Sequence, residues 1–375
     1  MNALDNELFK NPTAKYRGLP FWSWNCKLSK ATVYEQLDIF KEMGFGGVII
    51  HPRDGLDTEY LGEEYMDIVK HTVARCRELG LICWLYDDDR FPSGAADGLV
   101  TKNPAFRARH LKLTKKRLGD DFLAAYQITL ENKMLTNYLR LNTEAEITEA
   151  LNNNENVWFA YLELAKEEEW FQGQTYSDTM NPAAVDEFIK VTHEKYKSVL
   201  GNDFGTAASA IFTDEPRIGK CGPISKAESA EDAFVPYTDY FAEQFKLTHG
   251  IDALDIIPEY IWDRQDGDTH HRYNYHDMTM ECFSRAFMDK ICTWCKGNGI
   301  LMTGHILGEE TLRSQTTTVG DAMRTYKNMD IPGIDILIDG RELSTAKQAA
   351  SVAAQYGREG VMSELYGVTN WDCTF

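Results

Sequence analysis

The chain has 375 residues, 43% of them hydrophobic and 12% aromatic, enough for a large packed core, and its formal net charge is -19. That charge repels phosphate backbones and argues against a nucleic-acid binder. No apolar run approaches the roughly 20 residues of a membrane span, and the N-terminus lacks a basic start followed by an apolar stretch, so a soluble, cytoplasmic protein without a signal peptide is expected. Eight cysteines scattered over this length make no disulfide framework.

One pattern recurs along the chain: a helix ends in Gly, an apolar strand follows, and the strand ends on a polar residue. Gly44 leads into Gly47-Val48-Ile49-Ile50 and His51; Gly80 leads into Leu81-Ile82-Cys83-Trp84-Leu85-Tyr86 and Asp87. Gly299 leads into Ile300-Leu301-Met302-Thr303 and His305; Gly357 leads to Val361-Met362-Ser363 and Glu364. Gly supplies the left-handed helix cap. A continuously apolar strand is one buried on both faces, as parallel strands are. Polar residues at strand C-terminal ends are where α/β barrels take their active-site groups.

Strands are predicted near 19–24, 46–51, 81–86, 208–213, 300–305, 333–338 and 360–364. Helices are predicted over 62–79 and over 181–200, the second opening on Asn181-Pro182 as N-cap and first turn. The expected fold is an α/β (β/α)8 TIM barrel with seven strands visible, spanning residues 1–375. The stretch after Glu364 is too short for another helix and strand, so a barrel incomplete at its C-terminus is expected, with two open strand edges. Residues 108–175 alternate polar and apolar, as in Ala125-Tyr126-Gln127-Ile128-Thr129-Leu130, which predicts a small insertion of half-exposed antiparallel strands after strand three. Residues 216–271 read as a helical and loop-like insertion after strand four.

Strand four ends Thr213-Asp214-Glu215-Pro216 and strand seven ends Ser363-Glu364-Leu365-Tyr366. Ending a buried strand on carboxylates has no packing rationale. Two carboxylates facing each other across a barrel mouth suit cleavage of a glycosidic bond, which needs an acid for the leaving oxygen and a base or nucleophile opposite. Glu215 and Glu364 are therefore the candidate catalytic pair, against the plainer reading of a salt-bridged or solvated strand end. Around them His51 and His305 close strands two and five, Arg53 follows His51, and Tyr86, Asp87 and Asp89 close strand three. With Asp214, these are candidate substrate-binding residues. Asp87 to Asp89 repel one another unless Arg90, a metal ion or sugar hydroxyls satisfy them. Trp22 and Trp24 on strand one read as core for at least one of them, and Trp371, in a late loop, is the better residue for stacking on a sugar face. Cys292-Thr293-Trp294-Cys295 is a lone pair of cysteines without zinc-site partners.

Pro20-Phe21-Trp22-Ser23-Trp24-Asn25, Gly47-Val48-Ile49-Ile50-His51-Pro52-Arg53, Trp84-Leu85-Tyr86-Asp87-Asp88-Asp89 with Pro92-Ser93-Gly94, and Thr213-Asp214-Glu215-Pro216 together resemble a group of bacterial glycoside hydrolases, the α-L-rhamnosidase-like and ulvan-degrading enzymes. The resemblance runs from about residue 16 to the end. It implies a (β/α)8 catalytic barrel, often followed by β-sandwich modules, acting on an α-L-rhamnoside or related plant or algal glycan. It implies Glu215 as general acid and Glu364 as nucleophile or base, and calcium as a possible cofactor, with Asp87 to Asp89 as oxygen donors. Asp214 departs from the Asn that many such barrels carry before the acid, and Arg90 and Phe91 stand where relatives have Gly and Trp. Two other functions stay open: a metal-dependent sugar isomerase or epimerase, and a glycan-binding barrel fragment without catalysis.

Overall fold

The computed structural model describes residues 6–171, 173–337 and 343–369. Its strands are β1 (Phe21–Trp24), β2 (Gly47–Pro52), β3 (Ile82–Tyr86), β4 (Arg109–Thr114), β5 (Ala124–Glu131), β6 (Met134–Leu141), β7 (Val157–Leu164), β8 (Ala208–Thr213), β9 (Ala233–Tyr237), β10 (Leu301–Gly304), β11 (Ile331–Ile336) and β12 (Met362–Leu365). All seven predicted parallel strands are among them. They form one sheet in the order β1-β2-β3-β8-β10-β11-β12, every neighbouring pair parallel.

The sheet is curled. Strands lie about 4.8 Å apart, so β1 and β8, with two strands between them, would be roughly 14 Å apart in a flat sheet. The rings of Phe21 and Phe212 on those strands are nevertheless 5.0 Å apart, edge to face. Ile49, Tyr86 and Phe212 form a small inner core, and Met362 of the last strand packs onto it along with Phe21 of the first. The concave face is thus filled by side chains in the manner of a barrel interior. Trp22 and Trp24 point the other way, beneath the helices: both are buried in the main core, and Trp22 donates to Gln36 Oε1 at 2.6 Å.

Among the described residues the sheet has the seven strands read from the sequence and is open between β1 and β12; a complete (β/α)8 barrel is not formed by them. A further parallel strand needs a crossover of a dozen residues or more, and only residues 366–369 follow β12 among those described. Near the open edges, Lys15, which precedes β1, forms an ion pair with Glu359, which precedes β12.

The helix over 62–79 forms as Glu63–Leu79, and Gly80 closes it at φ 67°. The helix expected over 181–200 is instead two, Pro182–Val191 and His193–Leu200. The break is at Thr192, whose hydroxyl donates to the Phe188 carbonyl at 2.7 Å, the kind of back-bond that bends a helix.

The two insertions differ from expectation in one respect each. Residues 216–271 supply a strand, β9, which pairs antiparallel with β4 and completes a five-stranded sheet in the order β6-β5-β7-β4-β9. The alternation in β5 and β7 does not separate core from solvent: their first halves are buried on both faces. Tyr126, Ile128, Trp158 and Ala160 face the main core, while Ala125, Val157, Phe159 and Tyr161 face a second core capped by Ile147 and Ala150 of the helix Glu144–Asn152. Period two here divides two cores.

Candidate active site

The site is built where β8, β10, β11 and β12 end. β10 ends in Gly304, at φ 136°; a Cβ there would lie 2.0 Å from the Thr213 carbonyl oxygen, so only glycine permits this approach of β10 to β8. The two chains stay tied beyond their strands: His305 N–H donates to Thr213 O at 3.3 Å, and Glu215 N–H donates to His305 O at 3.2 Å. Glu215 itself has φ 47°, an uncommon conformation for a side chain of this size, of the kind that collects at functional sites. The turn it makes directs the chain out of the strand and into Pro216.

His305 is the centre of the cluster. Its ring is buried; Nε2 lies 2.8 Å from Glu364 Oε2 and 3.5 Å from Asp214 Oδ1. Burial alone would lower its pKa, but the adjacent charges of Asp214 and Glu364 overcome this and push it up to about 10. It is an imidazolium at neutral pH, shared by two carboxylates. Asp214 is held by the Tyr86 hydroxyl, which donates to Oδ2 at 2.5 Å, and by Ser93 Oγ, which accepts the Asp214 N–H at 2.8 Å. Burial raises its pKa in spite of His305 and Tyr86.

Glu215 is half-buried. Burial, and then the charge of Asp214, push its pKa to about 8, against the opposing effect of His305. It is a carboxylic acid, with a proton to give, at pH 7. Carboxylate oxygens of Glu215 and Asp335 and a nitrogen of His305 lie within 4.8 Å of one another, and those of Asp214, His305 and Glu364 form a second such triad. Each triad offers three donor atoms to a cation.

Asp335 was not among the residues singled out from sequence. It lies beside Glu364 in the β11–β12 register. Its Oδ1 is buried with no hydrogen-bond partner among the described residues, and burial raises its pKa to about 6. Behind it sits Glu309, also unforeseen, 2% exposed, accepting the Asp335 N–H at 2.6 Å and the Tyr326 hydroxyl. Burial lifts Glu309 to about 7. The signal for Asp335 was present: an acid inside the apolar run Ile331-Pro332-Gly333-Ile334-Asp335-Ile336. Glu309 carried none, because it lies in a loop whose path only the tertiary fold sets.

The other candidates fall into two groups. His51 and Arg53 lie on the mouth side. His51 is buried between Phe21 and Tyr86, with ring centroids at 4.8 and 4.4 Å, and burial lowers its pKa to about 3, keeping it neutral; its Nε2 has no hydrogen-bond partner among the described residues. Arg53 is near enough to Asp214 to favour its ionised form. It lines a cavity of about 370 Å³ with Tyr60, Asp89, Arg90 and Asp97, and its guanidinium lies 5.3 Å from the Phe91 ring centroid.

Asp87 and Asp89, by contrast, are turned into the protein. Asp87 is fully buried; Ser93 Oγ donates to its Oδ1 at 2.6 Å, and burial raises its pKa to about 7. Asp88 Oδ2 accepts the N–H groups of Gly94, Ala95 and Ala96 at 2.8–3.0 Å. Asp89 pairs with Arg90 and accepts the Asp97 N–H at 2.9 Å. Most of the oxygens of this run of three acids are engaged in folding its own loop, and Asp89 also lines the cavity beside Arg53. Trp371 lies outside the described residues.

The sequence matches no protein-family model and no curated protein. Among solved structures the chain is similar to a rhamnosidase from Novosphingobium sp. PP1Y, with TM-score 0.60 and 13% identity over 96% of this chain and 52% of that one. It thus spans about half the length of that rhamnosidase. At that identity the likeness is one of fold. A cyclic α-maltosyl-(1→6)-maltose hydrolase from Arthrobacter globiformis aligns with 90% of this chain and 64% of its own at 12% identity, but its TM-score of 0.23 carries no argument. Among the described residues no helix is long and apolar enough to cross a membrane.

Proposed function

We propose that this chain is a glycoside hydrolase, with Glu215 as general acid and Glu364 as base or nucleophile. The observation that carries the reading is Glu215: a carboxyl group pushed to about 8, on a strained turn at a parallel strand end, facing further carboxylates around His305. An acid catalyst must hold its proton at working pH, and burial among like charges is how a glutamate does so. In hydrolysis the Glu215 proton passes to the glycosidic oxygen as the C1–O bond breaks. For direct attack by water, the new bond forms from water oxygen to C1 and the water proton goes to Glu364, whose charge His305 holds in place. An α-L-rhamnoside or a related deoxy or uronic-acid-linked glycan is the substrate class, a choice supported by the sequence resemblance and by the fold likeness to a rhamnosidase.

The resemblance also brings in calcium. Calcium favours six to eight oxygen ligands, whereas both donor triads include His305, and the oxygens of Asp88 and Asp89 are engaged by backbone N–H groups. These residues do not match a calcium shell, and no step is assigned to the ion. The triads do favour a second reading, a metal-dependent sugar isomerase, because His and carboxylates at barrel strand ends suit a transition metal.

Release of nitrophenol from a panel of aryl glycosides that includes the α-L-rhamnoside separates the two. A hydrolase releases nitrophenol, and a folded Glu215→Gln variant does not. Turnover of free sugars that chelators abolish, with the glycoside panel inert, overturns the hydrolase reading in favour of the isomerase.

A further inference from the structure

The loop that leaves β10 with His305 reaches Glu309 four residues later. β10 and β11 pair only as far as Gly304 and Pro332, so their ladder stops before it reaches either His305 or Asp335. Past that point a side chain joins the two: Glu309 Oε1 accepts the Asp335 N–H at 2.6 Å, in place of the carbonyl of a longer β10. Glu309 is itself fixed from several sides. Its Oε2 accepts the Tyr326 hydroxyl. Its backbone carbonyl accepts Gln315 Nε2 at 2.8 Å and Gln348 Nε2 at 3.1 Å, and Gln315 Nε2 also reaches Gln348 Oε1 at 2.8 Å. Gln315 lies on the helix Leu312–Thr318, Tyr326 on Ala322–Tyr326 and Gln348 on Ser344–Gln355, so three helices set the position of one buried acid. Both of its carboxylate oxygens meet a donor, which suits the ionised form. An apolar residue in its place would leave the buried Asp335 N–H without that acceptor.

Asp335 depends on this bond more than its neighbours do on any one of theirs. Glu364 is held by His305 at 2.8 Å, and Asp214 by Tyr86 and Ser93. Asp335 Oδ1, by contrast, has no hydrogen-bond partner among the described residues, so the carboxylate stands where its main chain puts it. Oxygens of Asp335 and Glu215 and a nitrogen of His305 lie within 4.8 Å of one another. The repulsion between two carboxylates falls with their separation, so a hold on the Asp335 main chain sets how strongly Asp335 acts on Glu215.

We propose that Glu309 is a positioning residue: by accepting the Asp335 N–H it fixes the end of β11 against the loop of His305, and so holds the Asp335 carboxylate beside Glu215. The inference rests on the hydrolase reading for the use of the Glu215 proton, and on the hydrogen bonds alone for the placing of Asp335.

Two conservative variants separate reach from charge. Glu309→Gln keeps an oxygen for the Asp335 N–H and removes the charge. Glu309→Asp keeps the charge and withdraws it by one methylene. Glu309→Met removes both. Each is made in the full chain with carbon-13 in its carboxyl groups, and the Glu215 signal, identified by its loss in Glu215→Gln, is titrated by NMR beside a melting curve. In Glu309→Asp and Glu309→Met the Glu215 midpoint is expected to fall by roughly half a unit, as like charge is withdrawn, while Glu309→Gln keeps the wild-type midpoint. Glu309→Met combined with Asp335→Asn should shift it no further than Asp335→Asn alone, because the one acts through the other. If Glu309→Met does not fold, the two conservative variants decide. A midpoint unmoved in Glu309→Asp, a shift in Glu309→Gln as large as in Glu309→Asp, or additive shifts in the double variant overturns the proposal. The aryl-glycoside panel tests the other half. Turnover with the Glu215 midpoint unmoved in Glu309→Asp ends the hold on Asp335 and leaves the hydrolase. The expected midpoint shifts, in a protein that turns over no glycoside, end the hydrolase and leave the hold on Asp335.

Discussion

Two runs of acids stand at strand ends in this protein, and they have opposite fates. After β3, the carboxylates of Asp88 and Asp89 are taken up by backbone N–H groups of the loop 94–97 and by Arg90, and one oxygen of Asp87 by Ser93, while Asp87 Oδ2 has no hydrogen-bond partner among the described residues. At the ends of β8, β11 and β12, the carboxylates of Asp214, Glu215, Asp335 and Glu364 face one another around a single imidazolium, and Asp335 Oδ1 has no hydrogen-bond partner among the described residues. The first arrangement ties most of its carboxylate oxygens into a loop. Burial raises proton affinity in both, Asp87 to about 7 and Glu215 to about 8; the second differs in gathering its acids around His305, as a site that handles protons requires. An acid at a strand end is therefore informative only once its hydrogen bonds have been accounted for.

The sharpest way to break this comparison is one substitution in each run. Glu215→Gln should lower kcat by about 10²–10⁴-fold, the usual contribution of a general acid, with the fold intact by melting curve and circular dichroism. Asp88→Ala should do the reverse. It strands the N–H donors of Gly94, Ala95 and Ala96, at a cost of about 3 kcal/mol, and should lower the melting temperature by roughly 4 °C, while protein folded at lower temperature keeps turnover within a few-fold of wild type. If Asp88→Ala abolished catalysis in a stably folded protein, the division between the two runs would fail.

A smaller effect sharpens the electrostatic half. Activity that needs protonated Glu215 should fall as pH rises through about 8. Asp335 contributes to that elevation by like charge, so Asp335→Asn should move the basic limb of the kcat/KM profile to lower pH, by roughly half a unit to one unit. An unmoved limb would mean that another group sets it.

The smallest effect is on stability. Glu215 binds its proton more tightly folded than unfolded, so its contribution favours folding most at low pH and is lost progressively from the unfolded carboxylate pKa up to about 8. Glu215→Gln removes that loss. Its melting temperature should fall less than that of wild type between pH 5 and pH 9. A larger fall in the variant would contradict the raised pKa.

Four of the seven parallel strands, β2, β3, β10 and β12, were legible as an apolar run with Gly before it and a polar residue at its end, a pattern set by local chemistry. The helix break at Thr192 and the strand β9 were not. The first depends on a side-chain bond to Phe188 that competes with ordinary helix geometry, and the second on a pairing partner, β4, more than a hundred residues away. The alternation of β5 and β7 was read correctly as strand and incorrectly as half-exposed, since periodicity reports that two faces differ and not what covers them.

The site divides in the same way. Asp214, Glu215, His305 and Glu364 were visible in the sequence as polar ends of apolar strands, and the curled sheet brings Asp214, His305 and Glu364 into direct contact. Only the tertiary structure decided that Glu215 keeps its proton, that Asp335 and Glu309 join the cluster, and that the acids after β3 stay out of it. A residue's identity and its place on a strand follow from local sequence. Its protonation state and its free hydrogen-bonding capacity depend on burial and on neighbours contributed by other strands, which no local pattern contains.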